Sequence, residues 1–248
     1  MDLTQGYALD EDGILVPPGL TRLTYQQNFV MGDPLPTSPA WLMEPKSDGT
    51  SASVGTGYSS VAHQAGAPGY LLINTGSTTD AVARLATTPI PMQQYAAIMI
   101  EFLGVQLSNA NAATDDLNLV FSYGINSVSY TGGPSGNAGA RVIQRQTDTH
   151  GRFLMPGVNG DHAPFGASYR TLREGYRFRN MGFLLYRSGQ AVAFDDDPAN
   201  PVGTLDAAGT MQVGSVCGSI MIQTKAAVNQ SLRLGGVRLT LWREPQTL

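Results

Sequence analysis

Residues 97–107 of this chain read AIMIEFLGVQL, and their first six positions alternate between two kinds of side chain. Two isoleucines and a phenylalanine occupy the even positions from 98 to 102, while Met99 and Glu101 fall between them. Because successive residues of a β-strand point to opposite faces, this alternation predicts a strand with one buried face. Residues 117–123, LNLVFSY, repeat the pattern, and residues 183–194, FLLYRSGQAVAF, place two such runs around a Ser-Gly pair, which is typical of a β-hairpin.

Short apolar runs of this kind recur from about residue 20 to residue 243, without a linker between them. The 248 residues include 29 glycines and 15 prolines, and only 14% are charged, which argues against a helical bundle. A hydrophobic fraction of 42% is enough for a large core. We therefore predict one all-β antiparallel sandwich or barrel over residues 21–248, preceded by an N-terminal arm at residues 1–20.

Several function classes are disfavoured by composition. A net charge of −4 argues against nucleic-acid binding. No apolar run approaches the roughly 20 residues of a membrane span, so we expect no membrane insertion. The single cysteine, Cys217, forms no intramolecular disulfide, and its apolar neighbours predict a buried thiol.

The order of elements resembles the concanavalin A-like lectin/glucanase superfamily. The segments Tyr25–Phe29, Pro39–Trp41 and Gly69–Ile73 are similar to the opening strands of that fold, and residues 97–107 and 117–125 to its long central strands. Residues 182–195 resemble its hairpin, and residues 232–242 resemble the strand that returns beside the N-terminal one. The resemblance implies a two-sheet antiparallel jelly roll.

The chain also resembles non-catalytic jelly-roll modules of phage tail and capsid-surface proteins. The low charge, the single thiol, the abundance of small residues and the absence of a basic and apolar leader at Met1–Gln5 are similar to that group. This resemblance implies a virion component made in the host cytoplasm without a signal peptide. It also implies homo-oligomers, trimers or higher, that contact other virion proteins.

Glucanases of this superfamily carry a Glu-x-Asp-x-Glu type strand, whose carboxylates supply the nucleophile and the acid/base. The chain has five glutamates, and no two of them have that spacing; Glu101, inside a predicted strand, has Met99 and Leu103 two residues away. The catalytic residues of the family cannot be carried over, so we expect a protein that is not an enzyme. A polysaccharide hydrolase or lyase is the alternative, and it would need acids from separate segments, such as Asp148, Asp161 and Asp195.

Two groups of side chains are weak metal candidates. Asp195, Asp196 and Asp197 offer oxygens that suit Ca²⁺, but a solvated loop is the preferred interpretation of three adjacent aspartates. Asp148, His150, Asp161 and His162 lack the rigid spacing of known zinc motifs. We therefore expect no metal and no cofactor.

Charge is unevenly distributed along the chain. Positions 141–187 contain eight arginines and three acidic residues, whereas the first 48 residues contain seven acidic and two basic residues. An acidic arm and a basic body could pair between neighbouring copies, meet an anionic ligand, or compensate each other within one chain. The candidate interface residues are Arg170, Arg177, Arg179, Asp10, Glu11 and Asp12.

Aromatic and arginine side chains in predicted loops are candidate contacts for a cell-surface glycan, because rings stack on sugars and guanidinium groups bond to hydroxyls. They are Trp41, Tyr130, Tyr169, Arg173 and Tyr176. The sequence thus favours a structural or glycan-binding module, with a purely architectural component without a ligand as a further alternative. In that last case, the arginine-rich face would be buried against a partner chain.

Overall fold

The computed structural model describes residues 8–9, 15–16, 19–29, 43–45, 57–61, 70–74, 82–87, 90–107, 115–123, 139–144, 152–154, 179–188, 190–195, 199, 203–206, 215–224, 227 and 231–244. They form eighteen strands: β1 (Ala8–Leu9), β2 (Leu15–Val16), β3 (Thr21–Asn28), β4 (Met43–Pro45), β5 (Gly57–Val61), β6 (Tyr70–Asn74), β7 (Val82–Thr87), β8 (Ile90–Pro91), β9 (Ala97–Leu107), β10 (Asp115–Tyr123), β11 (Gly139–Gln144), β12 (Arg152–Leu154), β13 (Arg179–Tyr186), β14 (Gln190–Asp195), β15 (Gly203–Asp206), β16 (Ser215–Thr224), β17 (Ser231–Leu234) and β18 (Gly236–Arg243). A single 3₁₀ turn, Met92–Gln94, is the only helical element in these ranges.

In the part of the chain that the structure describes, the larger sheet has nine strands and is organised around β9. On one side of β9 lies β13, followed by β14 and β15. On its other side, β18 pairs with residues 97–103 of β9 and β17 with residues 106 and 107. Farther out, β3 pairs with β18, while β6 and then β5 continue from β17. The predicted hairpin at residues 183–194 is confirmed as β13–β14, and the last strand does return beside the N-terminal strand.

The second sheet has seven described strands, six of them in the order β12-β11-β10-β16-β7-β4 and the seventh, β8, also paired to β16. Its longest pairing joins β10 and β16 over nine consecutive residue pairs. At its centre the amide of Gly218 donates a 3.0 Å hydrogen bond to Oγ1 of the buried Thr87. All pairings between the described strands of the two sheets are antiparallel, as the predicted fold class requires.

The alternation in β9 decides how the two sheets pack. Ile98, Ile100 and Phe102 are fully buried on the face that meets the second sheet, where the Ile100 side chain lies against the backbone of Gly218 in β16. Met99 and Glu101 are on the opposite face, here called the outer face. The pattern of residues 97–102 is therefore confirmed as a strand, but both of its faces are buried.

The apolar part of the outer face forms a second cluster, which is built from β9, β13, β14 and β18. Val16 of β2 packs into this cluster, and Leu20 packs against it. Burial of these apolar groups stabilises the contact between the N-terminal segment and the sheet. The division into an arm at residues 1–20 and a domain at 21–248 stays a prediction. The buried members of the cluster are Val16, Ala97, Met99, Leu184, Tyr186, Val192, Phe194 and Trp242.

Candidate functional site

The charged centre of the outer face is a pair of side chains on neighbouring strands. Glu101 of β9 lies directly opposite Arg238 of β18. The guanidinium donates one hydrogen bond from Nε to Glu101 Oε2 and another from Nη2 to Oε1, the latter 2.6 Å long. The glutamate side chain is 2% exposed and the arginine side chain 35% exposed. The partly exposed Arg238 side chain thus covers the buried Glu101 carboxylate.

This geometry defines what Glu101 can do. Both carboxylate oxygens are held in charge-assisted hydrogen bonds, the strong bidentate form that arginine makes with carboxylates. Such bonds offset the cost of removing a carboxylate from water. A carboxylate held in this way is a structural anchor, and it orients Arg238 at the edge of the exposed surface.

The surroundings of Glu101 contain no second acid among the described residues of the outer face. Across the strand on the β13 side lies Gly182, and the ring of Phe194 covers the space that a side chain there would fill. Met99 and Thr240, which are the next pair along the two strands, are also buried. Glycosidases require two carboxyl groups between about 5 and 9.5 Å apart, and the described residues around Glu101 do not supply them.

In the second sheet, the backbone pairing places Asp116 and Glu44 on strands that are not neighbours. Asp116 of β10 pairs with Gln223, which pairs with Val82 of β7, whereas Glu44 of β4 pairs with Ala86. Three strand spacings and four residues along the strand separate these two positions, which corresponds to about 20 Å between their Cα atoms. The described strands of this sheet therefore do not bring Asp116 and Glu44 to catalytic spacing.

The outer edge of β3 is the most exposed stretch of the larger sheet for which exposure is described. Thr24, Tyr25 and Gln26 are exposed in succession, and Tyr25 is 51% exposed. The guanidinium of Arg22 lies 5.9 Å from the ring centroid of Trp242, within the range of a cation–π contact. Thr24, Tyr25 and Gln26 thus present polar and aromatic groups at the surface of β3.

Most residues that the sequence singled out lie outside the described ranges. These are Trp41, Tyr130, Tyr169, Arg173 and Tyr176, the interface candidates Arg170, Arg177, Asp10, Glu11 and Asp12, and the acids and histidines Asp148, His150, Asp161, His162, Asp196 and Asp197. For two further candidates the backbone alone is described. Arg179 pairs with Val105 where β13 begins, and Asp195 pairs with Met181 where β14 ends. These predictions remain untested.

Metal ligands and membrane spans were also sought in the described part of the chain. No group of three or more His, Cys, Asp or Glu side chains there is arranged to hold a metal ion. None of the helical structure in those ranges is long and apolar enough to cross a membrane.

Sequence reasoning missed the role of Arg238. The alternation of Arg238, Thr240 and Trp242 predicts their common face, but it does not reveal which residue lies across from them. The partner follows from the register between β9 and β18, which are separated by more than 120 positions in the chain. The available signal was one glutamate in the apolar strand β9 and an arginine between apolar residues of β18.

Comparison with known proteins gives the fold a name. No protein-family model matches this sequence, and no curated protein sequence matches it. The endo-1,3-beta-glucanase of Streptomyces sioyaensis has a similar structure, with a TM-score of 0.57 and 11% identity over 92% of this chain and 98% of the glucanase. Peanut lectin gives 0.53 and 10% identity, over 89% and 97% of the two chains.

The exoplasmic/lumenal domain of VIP36, in its Ca²⁺/Man3GlcNAc-bound form, gives a TM-score of 0.52 and 9% identity, over 83% of this chain and 86% of that domain. At such identities the likeness concerns the fold alone. The chain has the concanavalin A-like jelly-roll fold, as the resemblance in its sequence implied.

Proposed function

We propose that this chain is a non-catalytic, glycan-binding structural component of a phage particle. The observation that carries the non-catalytic part is the engagement of Glu101. The one glutamate in the central strand β9 is buried and held at both oxygens by Arg238. A general acid or a nucleophile needs a carboxylate that can reach substrate.

Carbohydrate is the ligand class that the fold neighbours support. One of them is a glucanase, one is a lectin, and one was solved with Man3GlcNAc bound. Fold likeness alone does not fix function, so the ligand has to be argued from a site. We propose that Trp41, Tyr130, Tyr169, Arg173 and Tyr176 contact the glycan. A weak site repeated over many copies would give useful avidity.

The proposal that this chain belongs to a phage particle rests on its sequence. Low charge, a single cysteine and abundant small residues support a virion protein that assembles with copies of itself and with other virion proteins, without a metal or a cofactor. Mass spectrometry of purified particles from the source, together with the genes that flank the coding sequence, tests this part. Absence of the protein from particles would contradict the setting without affecting glycan binding.

One experiment distinguishes glycan binding from catalysis. The protein is titrated with a panel of bacterial surface polysaccharides, and each mixture is also assayed for released reducing ends and for the unsaturated products of a lyase. We expect binding without release, weakened at least tenfold by Trp41→Ala or Tyr169→Ala. Gln94→Ala, at an exposed position on the 3₁₀ turn, is the matched control and should bind like the parent protein.

Each other outcome has a definite meaning. Product release that is lost in Asp148→Asn, Asp161→Asn or Asp195→Asn would replace the proposal by a hydrolase or a lyase. Absence of both binding and release would contradict glycan recognition for the polysaccharides tested and would favour a purely architectural role.

A further inference from the structure

Trp242 places a polar atom in the apolar part of the outer face. Its side chain is 1% exposed, and among the described residues no acceptor lies within hydrogen-bond distance of its indole Nε1. A buried indole N–H normally finds a partner, because an unpaired donor loses its bonds to water without compensation. The arrangement around Trp242 is therefore one that a group with an acceptor oxygen would stabilise.

Three strands place Trp242 next to a second aromatic ring. Ala97 of β9 lies directly opposite Trp242 of β18 on one side and Tyr186 of β13 on the other. Residues directly opposite each other share a face of the sheet, so the two rings flank the small Ala97 side chain, with their Cα atoms about 10 Å apart. These three residues are here called the aromatic slot. Two aromatic side chains on either side of one methyl group form a lining on which a sugar ring can stack.

The N-terminal segment covers the cluster to which the aromatic slot belongs. Seven of the eight buried members of that cluster come from the larger sheet, and the eighth is Val16 of β2. Among the described strands, β1 and β2 pair with each other and with neither of the two large sheets. We call β1 and β2 the strap. A cover that is joined to neither sheet by strand pairing can open locally without unfolding them.

We propose that the aromatic slot is a sugar-binding site, which the strap covers in the free protein and which a sugar ring occupies when the strap withdraws. This inference rests on the proposed glycan-binding function and adds a covered site to it. In the bound state the apolar face of the sugar replaces Val16 in the cluster, and a sugar oxygen accepts a hydrogen bond from Trp242 Nε1. The valine side chain has no acceptor, so the sugar makes a contact that Val16 does not.

A neutral sugar is the ligand chemistry that fits this surface. A wholly apolar ligand would leave the indole N–H of Trp242 without an acceptor. A charged ligand would have to leave water for a cluster of apolar side chains, which is costly without a paired charge. A neutral sugar ring meets both conditions, because it has an apolar C–H face and oxygens at its rim.

The strap sets the apparent affinity of the slot. A site that is open in only a fraction of the molecules binds more weakly by that fraction. Val16→Asp places a charge in the apolar cluster and favours the open state, so it should tighten sugar binding at least about fivefold. Val16→Ala should act in the same direction with a smaller effect. Thr21→Asp adds the same charge at an exposed position, and it should bind like the parent protein.

Isothermal titration calorimetry of the full chain with neutral manno-, gluco- and galacto-oligosaccharides measures these affinities, and urea unfolding checks that each variant is folded. Trp242→Phe keeps an aromatic ring and removes the donor, so it should weaken binding at least about fivefold, both alone and together with Val16→Asp. Proton–nitrogen NMR follows the donor directly, because the chain has two tryptophans and thus two indole signals. The signal that disappears in Trp242→Phe should exchange faster with water in Val16→Asp and should shift downfield on saturation with sugar.

The other outcomes separate this inference from the function on which it rests. Binding that neither Val16 variant tightens, or that Trp242→Phe leaves unchanged, would overturn the covered site. If that same binding is weakened by Trp41→Ala or Tyr169→Ala, the proposed glycan function stands without the covered site. Absence of binding in the parent protein and in both Val16 variants would contradict the two together.

Discussion

Glu101 and Arg238 are separated by 137 positions in the chain and lie directly opposite each other on β9 and β18, joined by two hydrogen bonds. The pair lies among Met99, Thr240 and the ring of Phe194, so its carboxylate has little access to water. It ties the strand at the centre of the larger sheet to the last strand of the chain. A buried ion pair is not by itself evidence of high stability, but removal of one partner leaves an uncompensated charge.

The two halves of this pair should respond unequally to substitution. Arg238→Met removes both donors and leaves the buried Glu101 carboxylate without compensation, so we expect a loss of about 3 kcal/mol in the free energy of unfolding. Glu101→Gln keeps the shape and one strong acceptor, and it should cost about 1 kcal/mol. Urea unfolding followed by tryptophan fluorescence measures both values. Similar losses for the two variants would contradict the prediction that an uncompensated Glu101 carboxylate causes the larger loss.

Gly182 should be intolerant of any side chain. An added methyl group would clash with the Ile100 carbonyl oxygen and would lie 2.6 Å from Phe194 Cζ. Because a backbone atom cannot move aside cheaply, Gly182→Ala should destabilise the fold by about 3 kcal/mol. Gly19→Ala is the contrasting variant, since nothing lies within 4 Å of its added methyl group but its φ is +77°. It should cost about 1 kcal/mol, through backbone strain alone.

Local patterns predicted the strands at residues 97–107, 117–123 and 183–194, because burial of one face imposes a period of two that neighbouring residues reveal. These strands predicted a sandwich or barrel, and the jelly-roll class was implied by the resemblance of their order to the concanavalin A-like fold. The pairing of Glu101 with Arg238 could not be predicted in this way, since it depends on the register between strands far apart in sequence. The burial of Met99 on the outer face was equally invisible, because it results from packing by segments such as Val16.

Val16 provides a test of whether the N-terminal segment is part of the folded unit. Its side chain is buried in the outer-face cluster with Met99 and Trp242. Val16→Ala removes two methyl groups from that cluster and should lower the free energy of unfolding by about 2 kcal/mol. Limited proteolysis should also cut Val16→Asp near residue 16 sooner than the parent protein. Unchanged stability and unchanged cleavage would show that the segment acts as a separate arm.

The contact between the two sheets can be tested by a double-mutant cycle on Gly218 and Ile100. A methyl group added at Gly218 would clash with Cδ1 of Ile100 and would lie 3.2 Å from its Cγ2. Gly218→Ala alone should therefore destabilise the protein by about 2 kcal/mol through overpacking. Ile100→Val alone should cost about 1 kcal/mol, because it removes Cδ1 and leaves a small cavity.

In the double variant the new methyl group occupies the space that Cδ1 vacates, so the combined loss should be smaller than the sum by at least about 1 kcal/mol. The four unfolding free energies, measured by urea titration, give this coupling. Strict additivity would mean that the two sheets separate slightly to admit the methyl group, and that Ile100 does not set the distance between them.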